Sequence, residues 1–171
     1  MRTAALLLFV SFAHPATGQP QKKGAAPKLV EEGGKKALVF IMGETKAEVV
    51  AGDKTFKLLP LRSTGTKTFN VVVTTTNSGK KALPSSEGII DHQNMIATDD
   101  TGREFRTNSV SLPPGNDIDP GGTFNYTITL RPHPDPKARE ITVTIPARGG
   151  EADLWRIVYP KKAWPKGIPS P

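Results

Sequence analysis

The sequence predicts an all-β protein in which two antiparallel sheets pack as a sandwich. Three observations carry that reading. First, Thr123–Leu130 (TFNYTITL) sets apolar residues on every even position and polar ones on every odd position. Successive side chains of an extended strand point to opposite faces, so Phe124, Tyr126, Ile128 and Leu130 share a face to be buried. Thr123, Asn125, Thr127 and Thr129 share the other, which can be wet. Second, Thr68–Thr76 (TFNVVVTTT) is the most β-branched run in the chain, and β-branching favours a pleated surface over a helix. Third, no stretch sustains a helical period.

In chain order, residues 1–18 read as a secretory signal peptide. Arg2 supplies the positive start, Ala4–Ala13 is the apolar run, and Ala16-Thr17-Gly18 is a small-residue site with cleavage after Gly18. The apolar run is about half the length a bilayer-spanning helix requires, so no transmembrane segment is predicted. The expected address is secreted: periplasmic or extracellular. Residues 19–35 (QPQKKGAAPKLVEEGGK) have little to bury and read as a flexible basic linker. The β-sandwich domain is expected over 36–160.

Within it, Lys36–Met42 is the first strand, and Gly43-Glu44 suits a two-residue hairpin turn into a partner over Thr45–Val50. Ala51-Gly52-Asp53-Lys54 is a second turn, leading to Thr55–Leu59. Pro60 cannot donate to a ladder, so that strand is an edge or ends there. After the Arg62–Lys67 loop, Phe69, Val71 and Val73 are expected in the core. Asn77-Ser78-Gly79-Lys80 closes that strand with turn chemistry. Asp99-Asp100-Thr101-Gly102 is a turn before a short strand over Arg103–Thr107, around Phe105. Arg131-Pro132-His133-Pro134-Asp135-Pro136 reads as a stiff exposed loop. Ile141, Val143 and Ile145 point inward from Arg139–Ile145, and a final strand covers Asp153–Tyr159. Residues 161–171 form a Pro/Lys-rich tail.

Composition narrows the chemistry. With no cysteine there are no disulfides, thiolate metal sites or cysteine nucleophiles. The net charge of +7 invites a nucleic-acid reading, but residues 37–159 carry equal numbers of Lys+Arg and Asp+Glu. The excess sits at the two ends. Phosphate recognition would concentrate basic residues on a face of the fold, so no nucleic-acid partner is expected.

Three stretches read together: Phe69–Gly79 (FNVVVTTTNSG), Met95–Phe105 (MIATDDTGREF), and Leu112-Pro113-Pro114-Gly115 leading to the 123–130 strand. This pattern resembles the telokin-like, immunoglobulin-like extracellular domain of unknown function (the DUF4352-type domain) over about residues 65–146. Residues 83–93 depart from it, and the 111–122 connection is longer. The resemblance implies an immunoglobulin-like antiparallel β-sandwich with an extracellular address, and brings no catalytic residues. Together with the composition of the ends, the expected fold is that sandwich with disordered N- and C-terminal tails.

Candidate chemistry is sparse. Beyond the signal, His92 and His133 are the imidazoles; both fall in loop sequence, and no G-x-S-x-G, P-loop or G-x-G-x-x-G accompanies them. A hydrolase is therefore the third-ranked reading. The Asp99/Asp100 and Asp117/Asp119 loops are oxygen-rich, but Asp and Asn satisfy turn backbones without a metal and neither loop has EF-hand spacing. Asn125-Tyr126-Thr127 is a glycosylation sequon inside a strand, a poor acceptor position. Trp155 is expected in the core. Trp164 with Lys161, Lys162 and Lys166 makes a short basic-aromatic tail.

The expected function is a secreted, non-enzymatic binding or structural module for an undetermined partner protein, with no cofactor and no metal. The alternative is a cell-envelope or polysaccharide-associated protein held to an anionic surface by Lys161, Lys162, Trp164 and Lys166.

Overall fold

A computed structural model of the chain describes residues 25–45, 47–64, 67–84, 91–111, 117–147 and 151–168. The signal peptide expected over 1–18 lies outside the described residues, as does the loop at 112–116. The described residues form strands β1 (Lys28–Glu32), β2 (Lys35–Ile41), β3 (Glu48–Ala51), β4 (Lys54–Leu58), β5 (Arg62–Ser63), β6 (Phe69–Asn77), β7 (Ile96–Asp99), β8 (Arg106–Ser111), β9 (Thr123–Arg131), β10 (Glu140–Pro146) and β11 (Leu154–Pro160). One sheet runs β1-β2-β11-β10-β7. The other runs β3-β4-β6-β9-β8, with short β5 also paired to β6. The protein is an all-β sandwich. No helix among the described residues is long and apolar enough to cross a membrane.

The alternation in β9 does what its period dictates. Tyr126, Ile128 and Leu130 are fully buried, and Asn125 is exposed. Burying three such side chains contributes roughly 5–9 kcal/mol before chain entropy is set against it. Phe124, nearer the strand's end, is half-buried against the core. Antiparallel register sets Val73 opposite Tyr126, Val71 opposite Ile128 and Phe69 opposite Leu130. That aligns the two strongest strand signals as neighbours in the centre of one sheet. The opposing layer supplies Phe40 from β2, Ile141, Val143 and Ile145 from β10, and Trp155, Ile157 and Tyr159 from β11.

Asn77 closes the β6 end. Although fully buried, its Nδ2 donates to the Lys81 and Ile118 carbonyls (2.8 and 2.7 Å), and its Oδ1 accepts from the Gly79 N–H (2.9 Å). A buried amide is tolerated when its donors are all used, as they are here. It ties the 77–83 turn to the segment that feeds β9.

Several expectations need correction. Residues 28–32 are not linker: β1 pairs with β2 through Gly33 and Gly34, whose φ values of 58° and 75° are the left-handed pair a two-residue hairpin loop needs. The expected hairpin between Lys36–Met42 and Thr45–Val50 does not form, because β2 and β3 belong to different sheets. The turn at Gly43 exists (φ 87°), with the Glu44 and Thr45 N–H groups both donating to the Ile41 carbonyl. It carries the chain across the sandwich. β2 instead pairs in parallel with β11, alone among otherwise antiparallel strand pairs.

The short strand expected over Arg103–Thr107 begins three residues later, at Arg106, and runs to Ser111, leaving Phe105 just outside it. The Phe105 N–H donates to the Ala97 carbonyl in one sheet, and β8 then joins β9 in the other. Residues 161–168 are also folded. Lys161–Ala163 form a 3-10 turn, Trp164 packs on the core and Ile168 is buried.

Candidate binding face

The two sheets present opposite kinds of outer surface. On the six-stranded sheet, β6 and β9 turn out Asn70, Thr74, Thr76, Asn125, Thr127 and Thr129 around Val72, which is itself buried. Thr74 Oγ1 donates to Asn125 Oδ1 across the pair (2.8 Å). This is the polar half of the alternation read from β9.

The five-stranded sheet differs. In β2 the side chains of Leu38, Phe40 and Met42 point to the core, which leaves Ala37, Val39 and Ile41 outward. In β11 Trp155, Ile157 and Tyr159 point inward, which leaves Leu154, Arg156 and Val158 outward. Register places Leu154 beside Ala37, Arg156 beside Val39 and Val158 beside Ile41, while β1 adds Val30 beside Ala37. The outcome is an aliphatic face of half-exposed Val30, Val39, Ile41, Leu154 and Val158 around a buried Ala37, with Ile96 of β7, 64% exposed, beyond the outward Thr142 and Thr144 of β10. A hollow of about 580 Å3 crosses one end of this face, between Lys35, Asp91, Asn94, Ile96, Pro146 and Leu154.

One charged pair crosses the face. Arg156 donates from both terminal nitrogens to the Glu32 carboxylate (2.8 and 2.6 Å). The hydrogen bonds from Arg156, then its charge, hold the Glu32 carboxyl below the usual carboxylate range; the same bond raises the Arg156 guanidinium. The pair neutralises the only charge that β11 turns outward. The aliphatic patch thus carries a satisfied ion pair where an unpaired arginine would have kept it hydrated, and Lys28 and Lys35 stand at its margin.

A second apolar opening lies where the sheet edges β1 and β3 approach each other. Leu29 and Val50, 47% and 66% exposed, rim a groove of about 280 Å3 with Leu38, Val49 and Trp155.

The residues singled out in the tail are brought together, but as part of the fold. Trp164 Nε1 donates to the Tyr159 carbonyl (2.8 Å), Lys161 Nζ donates to the Pro136 carbonyl and sits 5.8 Å from the Trp164 ring centre, and Lys162 pairs with Glu44. Lys166 is exposed. The free basic-aromatic tail is therefore a docked segment whose cations mostly have partners.

His133 is buried, not exposed: its Nε2 meets the Thr68 carbonyl (3.1 Å), and its Nδ1 has no hydrogen-bond partner among the described residues. Alternating prolines had suggested a projecting loop; Pro134 and Ala138 instead fold in beside it. His92 is half-buried, its Nδ1 2.5 Å from the Tyr126 hydroxyl. That contact lets a core tyrosine satisfy its polar end. Neighbouring Asp91 accepts from Asn94 (2.9 Å).

Asp99 serves its turn. Its Oδ1 accepts from the Thr101 N–H and hydroxyl and the Arg103 N–H, and its Oδ2 from the Asp135 N–H. Asp100 Oδ1 accepts from the Arg139 and Glu140 N–H groups. Among the described residues no group of three or more His, Asp or Glu is placed to hold a metal.

Comparison with protein-family models, with curated proteins and with solved structures finds no match for this chain.

Proposed function

We propose that this chain is a secreted, non-enzymatic β-sandwich module that works outside the cytoplasm by holding another macromolecule against the outer face of its five-stranded sheet. The aliphatic face of Val39, Ile41, Leu154 and Val158 supports the reading. These side chains are half-exposed and adjoin one another, and contiguous apolar surface on a folded domain marks an interaction site; the outer face of the opposite sheet, mostly threonine and asparagine, supplies the contrast within one molecule. The resemblance of residues 65–146 to an immunoglobulin-like extracellular domain and the n-h-c order of residues 1–18 support the fold type and the address.

Capture from the native extracellular medium tests it. The tagged 19–171 chain retains a defined partner; Val39→Lys/Val158→Lys, which charges the aliphatic face, loses it; Thr127→Lys on the other sheet keeps it. Equal retention by all three overturns the reading.

A further inference from the structure

The geometry points to β1 as a self-complementary edge, through which a second copy of this chain adds to the five-stranded sheet. Glu32 and Lys35 flank the two-residue loop of the β1–β2 hairpin and so exchange both main-chain hydrogen bonds. Alternation then turns the N–H and C=O groups of Lys28, Val30 and Glu32 toward β2. The main-chain groups of Leu29 and Glu31 are left pointing off the open edge. The other side of β2 agrees: the Asp153 N–H donates to the Lys36 carbonyl and the Met42 N–H to the Val158 carbonyl, so even-numbered residues of β2 face β11 and odd-numbered ones face β1.

An antiparallel pair of β1 strands about a two-fold axis must match Leu29 and Glu31 with each other or with themselves, since only these offer free main-chain groups. Centring the axis on Glu31 sets Glu31 against Glu31 of the second copy, a like-charge clash. Centring it on Leu29 sets Glu31 against Pro27, which has no N–H to give. Centring it on Val30 sets Leu29 against Glu31 with their hydrogen bonds exchanged, Val30 against Val30, and Lys28 against Glu32 at both ends. Only this register joins opposite charges. Lys28, Val30 and Glu32 all lie on the outer face, where Glu32 already holds Arg156, so each end gains a cation–carboxylate–cation chain.

The other open edges lack these features. β8 is kinked by a bulge between Thr107 and Ser109, a device that blunts an edge, and β7 is partly covered where Thr98 bridges to Glu104. β3 has no basic residue to set against Glu48. Pairing through β1 would extend both aliphatic faces into one surface; it stands independently of what that surface binds.

The chain has no cysteine, so single substitutions report the register directly. Val30 would sit in a non-hydrogen-bonded pair, with Cα atoms about 4.5 Å apart and within disulfide reach. Under mild oxidation of the 19–171 chain, Val30→Cys is expected to give a covalent dimer. Leu29→Cys, two residues out of register with its counterpart, is expected to give little. In sedimentation, the parent chain dimerises and Lys28→Glu, which turns both attractions into repulsions, raises the dissociation constant on the order of tenfold, an effect that salt reduces. A parent chain monomeric at every concentration overturns the inference. So does cross-linking of Leu29→Cys equal to that of Val30→Cys, or a dimer indifferent to Lys28→Glu.

Discussion

Phe56 of β4 and Trp155 of β11 meet edge to face across the middle of the sandwich, their ring centroids 4.9 Å apart and their planes inclined at 61°. Each belongs to a different sheet, and each is buried. Their contact fastens the face proposed for binding to the layer beneath it. Trp155→Ala should cost about 3–5 kcal/mol and Phe56→Ala a similar amount. The double variant should show a coupling of about 0.5–1.5 kcal/mol. Urea unfolding of the four chains measures it; strictly additive losses would show that the rings do not meet.

Asn77→Ala should destabilise by about 1–3 kcal/mol, because it strands the Lys81 carbonyl and the Gly79 N–H and leaves the Ile118 carbonyl with the Leu83 N–H as its donor. Asn77→Asp should do no better, since it replaces both donors with an acceptor. A thermal melt checks both, and an Asp variant as stable as the parent would contradict the assigned donors.

Asp99 gives the fold a defined acid response. Burial alone would raise its carboxyl, but hydrogen bonds from the Thr101 hydroxyl and the Asp135, Arg103 and Thr101 N–H groups outweigh it and hold the group below its ordinary value. A carboxyl depressed by folding adds stability that is fully present above its unfolded value, about 3.9, and is lost as pH falls through the lower folded value. Asp99→Asn should therefore be less stable than the parent at pH 7, and the gap should close in acid below about pH 4. Denaturant titrations across that range measure it; a gap independent of pH would contradict the role given to the ionised group.

Truncation after Pro160 should cost about 2–5 kcal/mol, because it removes buried Ile168 and the packed Trp164 ring. Lys162→Ala should change stability by less than about 1 kcal/mol, since its pairing with Glu44 is at the surface. Equal stability of truncated and full chains would restore residues 161–168 to the status of a solvated tail.

β9 is legible because threonine and asparagine alternate with Tyr, Ile and Leu, one face buried and the other wet, and β6 because its consecutive Val and Thr residues are β-branched. The aliphatic outer face was harder to see because β2 (KKALVFI) and β11 (LWRIVYP) are apolar on both faces, and a period of two then carries no phase. That double-sided character was itself the signal, since a strand apolar on both faces is one with something on each side. β1 was obscured by Lys and Glu that suggested a tether, although Glu32-Gly33-Gly34-Lys35 is hairpin chemistry. The destination of β3 could not be read locally, because the turn at Gly43 closes on Ile41 whether the chain then folds back or crosses over. His133 and Trp164 were misplaced for a related reason: prolines set the direction of a segment, while packing partners distant in sequence decide whether it is covered.

Side-chain footprinting of the 19–171 chain with a carbene-generating reagent, in buffer and again in native extracellular medium at the same protein concentration, tests the binding face without a partner being known. Labelling at Val39, Ile41 and Val158 should fall in the medium while labelling at Thr127 and Thr129 stays constant. Unchanged labelling at the three aliphatic positions, or an equal fall on both faces, would contradict the assignment of the five-stranded sheet as the working surface.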